Sequence, residues 1–255
     1  MAIGLNRPAL RGHDFMTSTT AASMARRVVQ LVVGLFLYGV AIAMMIRAGL
    51  GVPPWDVLTQ GLAVHTGWGF GLITILSGAL VLLLWIPIRQ RPGIGTVVNV
   101  LLIGPSVEVG LLIIPTPGDL APRIALLASG LMVLAVATGL YIGARFGPGP
   151  RDGLMTGIHR RSGWPIWAVR TAIEVTVLGS GWLLGGTVGI GTVAFALLIG
   201  PMVGVTLPLL RVPEMRKLDA TTDRLDPSRT DHAQPQLERA DRLASDNPPD
   251  PETGR

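Results

Sequence analysis

Five ionisable residues, Asp56, Arg151, Asp152, Arg170 and Glu174, fall inside or at the edge of long apolar runs. Asp56 and Asp152 each follow a proline by two residues, in GVPPWDVL and GPGPRDGL. A proline near the first turn starts a helix, and an aspartate there can bond the unpaired N-H groups and offset the positive end of the helix dipole. The same two acids, as a matched pair within a membrane, can instead bind a cation or relay a proton. Arg151 adds a full positive charge to the second segment, which suits an anion or the negative end of a polar ligand. Trp55 holds that place in the first. Arg170 and Glu174 are one helical turn apart on the same face. At membrane depth such a pair lines a polar interior or pathway, or else satisfies itself within the helix and fixes packing.

Three further candidates are secondary. Glu108 is a third acid within an apolar run, read either as a buried acid or as a residue snorkelling to an interface. Thr96 and Thr192 close two GIGT blocks, where a hydroxyl can bond a neighbouring helix or a ligand. Glycine in those blocks, and the pairs Gly139 with Gly143 and Gly181 with Gly185, favour close helix packing. Trp68 and Trp164 stand where a short segment meets the next apolar run, a usual place for interfacial anchoring.

Other chemistry is poorly served. There is no cysteine, so thiol catalysis, disulfides and cysteine-bound metal are excluded. The histidines His13, His65, His159 and His232 show no i, i+4 pairing, and neither GIGT block has the lysine of a phosphate-binding loop. No metal, cofactor or catalytic residue is therefore expected, and the chain is not read as an enzyme; an acid and base role for Asp56 and Asp152 is the one enzymatic alternative. Basic residues gathered on one face with aromatics between them are absent, which argues against a nucleic-acid partner.

The elements that must position these residues come in two copies. Gly51 to Pro105 recurs without a gap as Gly147 to Pro201, about 96 residues on, with roughly a third of the window identical. Gly51, Pro54, Asp56, Gly61 and Trp68 reappear as Gly147, Pro150, Asp152, Gly157 and Trp164, and the register reaches upstream, Gly34 falling on Gly130. The copies are not equivalent. Thr74 and Gly78 stand where the second copy has Arg170 and Glu174, and Gly204 stands opposite Glu108.

With 49% hydrophobic residues and 15% charged over 255 residues, the chain reads as a polytopic membrane protein. Six runs are long enough to cross a hydrocarbon core, near Val28–Ile46, Phe70–Ile88, Ile94–Ile114, Ile124–Ala144, Trp164–Leu184 and Ile190–Leu210. Pro54–His65 and Pro150–Arg160 are too short and polar to cross. If they dip in and return, each copy has three spans and the copies are inverted; if they cross, each has four and the copies are parallel. Inversion with a cytoplasmic N-terminus puts Arg26, Arg27, Arg89, Arg91, Arg145, Arg151, Arg160, Arg161, Arg211, Arg216 and Lys217 on the cytoplasmic side, and so is favoured. The expected fold is all-α: two inverted repeats, 28–114 and 124–210, each of three transmembrane helices plus one short re-entrant half helix. Around them lie a poorly ordered cytoplasmic extension over 1–27, an external loop over 115–123 and a disordered cytoplasmic tail over 211–255.

The motifs GxGVxPWDVL, RPGIGT, GPGPRDGLM, the R-x3-E of Arg170 and Glu174, and LGGTVGIGT resemble the YczE/YyaS/YitT family of bacterial integral membrane proteins over residues 28 to 210. The resemblance implies a multi-spanning protein of the bacterial cytoplasmic membrane and no defined activity. From the residues, the expected function is that of a permease in the lipid bilayer for a small anionic or zwitterionic solute, bound between the repeats by Asp56, Arg151, Asp152, Arg170 and Glu174. The alternative is a non-transporting accessory or sensor protein whose buried polar residues are structural.

Overall fold

A computed structural model describes residues 12–211, with side chains from residue 23 onward. Every regular element among these residues is a helix: α1 (Gly12–Ala48), α2 (Pro54–Thr66), α3 (Phe70–Trp85), α4 (Ile94–Ile113), α5 (Leu120–Gly143), α6 (Pro150–Ser162), α7 (Ile166–Leu183) and α8 (Ile190–Leu210). The extension expected over 1–27 to be poorly ordered is helical from Gly12, continuous with the first apolar run. Its residues 1–11, and residues 212–255 of the expected tail, lie outside the described residues.

The six apolar runs and two short segments correspond one to one with these helices, but the spanning capacity is uneven. Four helices are long and apolar enough to cross a membrane: α1 over Ser23–Ala48, α4, α5 and α8. The other two expected spans fall short for different reasons. Helix α3 has 16 residues, about 24 Å of rise against a core of about 30 Å. Helix α7 has 18 residues and carries both Arg170 and Glu174. Helices α2 and α3 are joined at a bend of 118°.

Helices α1 and α5 form the centre, α4 packing on α1 and α8 on α5. Their contact is built from small residues at equivalent places in the two copies. Gly34 lies against Leu140 and Tyr141, and Gly130 against Met44 and Met45. Around them Leu35, Ala41, Ile42, Met45, Leu134 and Ala137 are all but completely buried. In a bilayer this seam is held by close van der Waals packing more than by exclusion of water, which is why glycine at the crossing matters.

The copies exchange their helix ends. Arg27 donates from Nε to Ala144 O (3.0 Å) at the end of α5. At the equivalent position Arg123 donates from Nε to Ala48 O (2.7 Å) and from Nη2 to Gly49 O (2.8 Å) at the end of α1. A guanidinium at a helix C-terminus bonds orphan carbonyls and matches the negative dipole end. The start of the apolar run of α1 thus sits beside the end of α5, and the start of α5 beside the end of α1.

The GIGT blocks repeat the exchange one layer inward. Gly95 N donates to Phe146 O (3.0 Å) and Gly191 N to Leu50 O (2.7 Å). Thr96 Oγ1 donates to Pro148 O (2.7 Å) and Thr192 Oγ1 to Val52 O (2.8 Å). The chain between long and short helix is thereby fixed by the other copy. Gly51 (φ 107°) and Gly147 (φ 123°) turn there through the region that side chains avoid. A Cβ on Gly51 would also collide with Gly189 N and Thr192 Oγ1.

Candidate functional site

A 370 Å³ cavity lies where the copies meet, and each of the eight helices contributes to its lining. The volume is within the range of small-molecule sites, roughly 300–1,000 Å³. The chain breaks before α2 and α6 place its floor. Pro54 and Pro150 open these helices, as the spacing predicts, and the helix starts bring Trp55, Arg151 and Asp152 to the cavity.

The two aspartates sit in different surroundings. Asp56 is fully buried, and neither carboxylate oxygen has a hydrogen-bond partner. It therefore does not cap the α2 amides, one of the two roles open to it from sequence. Its neighbour is Arg151, Nη2 to Oδ1 3.5 Å, from the other copy. The same guanidinium lies 5.0 Å from the Trp55 ring centre, a cation-π arrangement. The repeat thus sets Trp55 and Arg151, equivalent in sequence, face to face. Asp152, on the cavity wall, accepts a hydrogen bond from Tyr141 Oη (3.2 Å). Tyr141 in turn meets Tyr38 edge to face, ring centres 5.9 Å apart.

Arg170 and Glu174 also line the cavity, joined by a 2.8 Å bond from Nε to Oε1. About half of the Arg170 side chain and a third of the Glu174 side chain remain exposed. The five primary candidates thus converge: four on the wall and Asp56 just behind Arg151.

The secondary candidates lie elsewhere. Thr96 and Thr192 are buried in the exchanged contacts, each also accepting a bond from the glycine N-H at the start of its own block, Gly93 (3.2 Å) and Gly189 (3.3 Å). Glu108 accepts a bond from Gly71 N (2.6 Å) and so closes the first turn of α3. Gly139 packs on Thr206 and Leu210, and Gly181 on the backbone of Leu58, in line with the packing role. Among the described residues no group of histidine, aspartate and glutamate could hold a metal ion.

Residue-type reasoning passed over Tyr38, Tyr141 and Asn99, which line the cavity. A signal was present: the chain has only two tyrosines, and both lie within apolar runs, one in each copy.

Residues 25–208 match a family described as of unknown function, DUF6198. An uncharacterised protein of Haemophilus influenzae is 37% identical over 186 residues, covering 72% of this chain and 85% of its own. The uncharacterised membrane protein YczE of Bacillus subtilis is 32% identical over 177 residues, covering 69% and 82%. The uncharacterised protein YyaS of the same organism is 24% identical over 182 residues, covering 70% and 90%. No solved structure matches.

Proposed function

The chain belongs to the DUF6198 family, with the membrane protein YczE and with YyaS among its relatives, and on that premise we propose that it is a permease for a small anionic or zwitterionic solute, bound between two inverted repeats. The observation that carries this is a cavity lined by both copies, with charges of both signs on its wall from Arg151, Asp152, Arg170 and Glu174 of the second copy. Ionisable groups at such depth in a membrane protein are expensive and mark solute or proton pathways more often than they serve packing. The crossed ends of α1 and α5 support inversion, since equivalent arginines meet opposite ends of the central pair. The two chain breaks facing one chamber support a site of the kind found between interrupted helices.

The protein moves its solute without altering it, sits in the bacterial cytoplasmic membrane, and keeps both termini in the cytoplasm. Arg151 receives the anionic part of the solute, and Asp152 with Tyr141 receives a donor. Asp56, holding no hydrogen bond, is the natural station for a coupling proton. One observation favours the non-transporting alternative: Arg170 and Glu174 satisfy each other at 2.8 Å.

Uptake into proteoliposomes separates the two. Small amino acids, carboxylates and phosphoesters are first screened for a rise in melting temperature, and those that stabilise are then offered as radiolabelled solutes. The expected result is uptake that falls at least tenfold in Arg151→Gln and in the double variant Arg170→Met, Glu174→Met, with the double variant melting as the parent does. A stabilising ligand that never crosses the bilayer, or uptake untouched in the double variant, refutes the permease reading.

A further inference from the structure

The first chamber does not stand alone. A second cavity of 400 Å³ adjoins it, and Trp55, Ser77, Val81 and Ile173 belong to both linings. The chamber is bordered by arginine, aspartate, glutamate and tyrosine; the second cavity has almost none of this. Leu58, Leu80, Leu84, Leu154 and Val177 shape it, a furrow between α3 and α7 floored by the short helices.

On the far side of the chamber α7 stands apart from α8. In the first copy α3 packs along α4, with Gly71 on the Gly104 carbonyl and Gly78 on Val100. In the second copy the equivalents of Gly71 and Gly78 are Trp167 and Glu174, and Gly200, the equivalent of Gly104, has nothing near it. Helix α7 rests on α2 and α6 instead of lying along α8. Leu80 and Leu84, which line the furrow, are exposed, so in a bilayer its apolar side faces hydrocarbon while its inner end adjoins the polar chamber.

From this juxtaposition we infer that the ligand of the chamber is a single-chain amphiphile with a zwitterionic head, which enters from the bilayer with its head among Arg151, Asp152, Arg170 and Glu174 and its hydrocarbon chain along the α3–α7 furrow. The inference rests on the proposed function and narrows its solute class. A head of one sign would meet an opposed charge of its own sign on the same wall, whereas a head carrying both signs pairs with each. The furrow adds little affinity of its own, because lipid tails are as apolar as its leucines. What it supplies is a route: the chain stays in hydrocarbon while the head reaches the half-exposed charges of the chamber, so the head need not be stripped of water and passed through lipid alone.

The probe is lysophosphatidylcholine with a photoreactive diazirine at the end of its chain, added in trace to the full chain in nanodiscs. The chain has no cysteine, so Ser77→Cys, on the boundary of the two cavities, gives a single thiol whose alkylation rate reports occupancy. Expected are crosslinks concentrated on α3 and α7 at the furrow, reduced at least fivefold by Ala172→Trp and, as a second block, by Leu84→Trp, each checked for an unchanged melting temperature. Alkylation should slow at least fivefold with lysophosphatidylcholine and less than twofold with phosphocholine or dodecanol alone. Crosslinks spread over all lipid-facing helices and untouched by both blocks mean annular lipid only and overturn the inference. Equal protection by phosphocholine alone overturns it while leaving the small-solute reading intact. No protection by any of the three overturns it and removes the zwitterionic solute as well.

Discussion

Asp56 is the residue on which the site's energetics turn. A carboxylate with 1% of its side chain exposed has Arg151, itself 30% exposed, as its counter-charge at 3.5 Å. Removing one partner of a buried ion pair leaves an uncompensated charge and costs about 3–5 kcal/mol, whereas replacing both by apolar or neutral groups is close to neutral. Arg151→Met is therefore expected to lower the melting temperature sharply, and Asp56→Asn in the same chain to restore most of it, by thermal denaturation in detergent. The hydroxyls of Thr96 and Thr192 set a smaller scale. Thr96→Val leaves the Pro148 carbonyl without its donor and should cost about 1–2 kcal/mol, with Thr192→Val matching it through Val52. Circular dichroism melts of the two variants check this, and a large inequality between them counts against equivalent roles. Spacing placed both threonines in matched contexts, but their choice between helix and ligand depended on which carbonyl lay across the gap. That is a tertiary fact. Tyr38 and Tyr141 were hidden for a related reason: an aromatic residue inside an apolar run reads as core until the Tyr141 hydroxyl is seen to reach Asp152 and the Tyr38 ring to meet Tyr141.

At the scale of elements, each short helix packs on a long helix of the other copy, α2 on α7 and α6 on α3, with different fillers. Trp85 is buried between α3 and α6 and donates from Nε1 to Pro150 O (3.1 Å), occupying the space that a Cβ on Gly153 would need. Its equivalent on α7 is Gly181, on which the backbone of Leu58 rests directly. Two opposite substitutions follow. Gly181→Leu forces α2 away from α7 and should abolish the folded peak in fluorescence-detected gel filtration, since close backbone contacts have no room to repack. Gly179→Leu, where nothing lies nearby, should leave that peak in place. Eight apolar or broken segments were legible because proline and glycine mark their ends. The failure of α3 and α7 to reach full spanning capacity was less so: α3 ends at Trp85, three residues before the apolar run does, and the run continues as a turn through Pro87.

Across the whole molecule, duplication was visible in sequence and its consequence was not. The 96-residue register pairs Arg27 with Arg123, yet only folding reveals that each reaches the far helix end of the other copy. Inverted repeats place His65 and Ser162, both exposed at the tips of the short helices, on opposite faces of the membrane. Cysteines introduced singly at these positions should label from opposite sides with an impermeant maleimide in intact cells, and labelling of both from one side would make the repeats parallel.

The exchanged contacts bear on how such a molecule can be divided. Each copy supplies the threonine, the amide and the arginine that finish its sibling, so neither fragment holds a complete set of bonds by itself. Severed at Gly118, where an added Cβ would meet nothing, the two pieces should remain orphans when made separately and should rescue one another when made in the same cell.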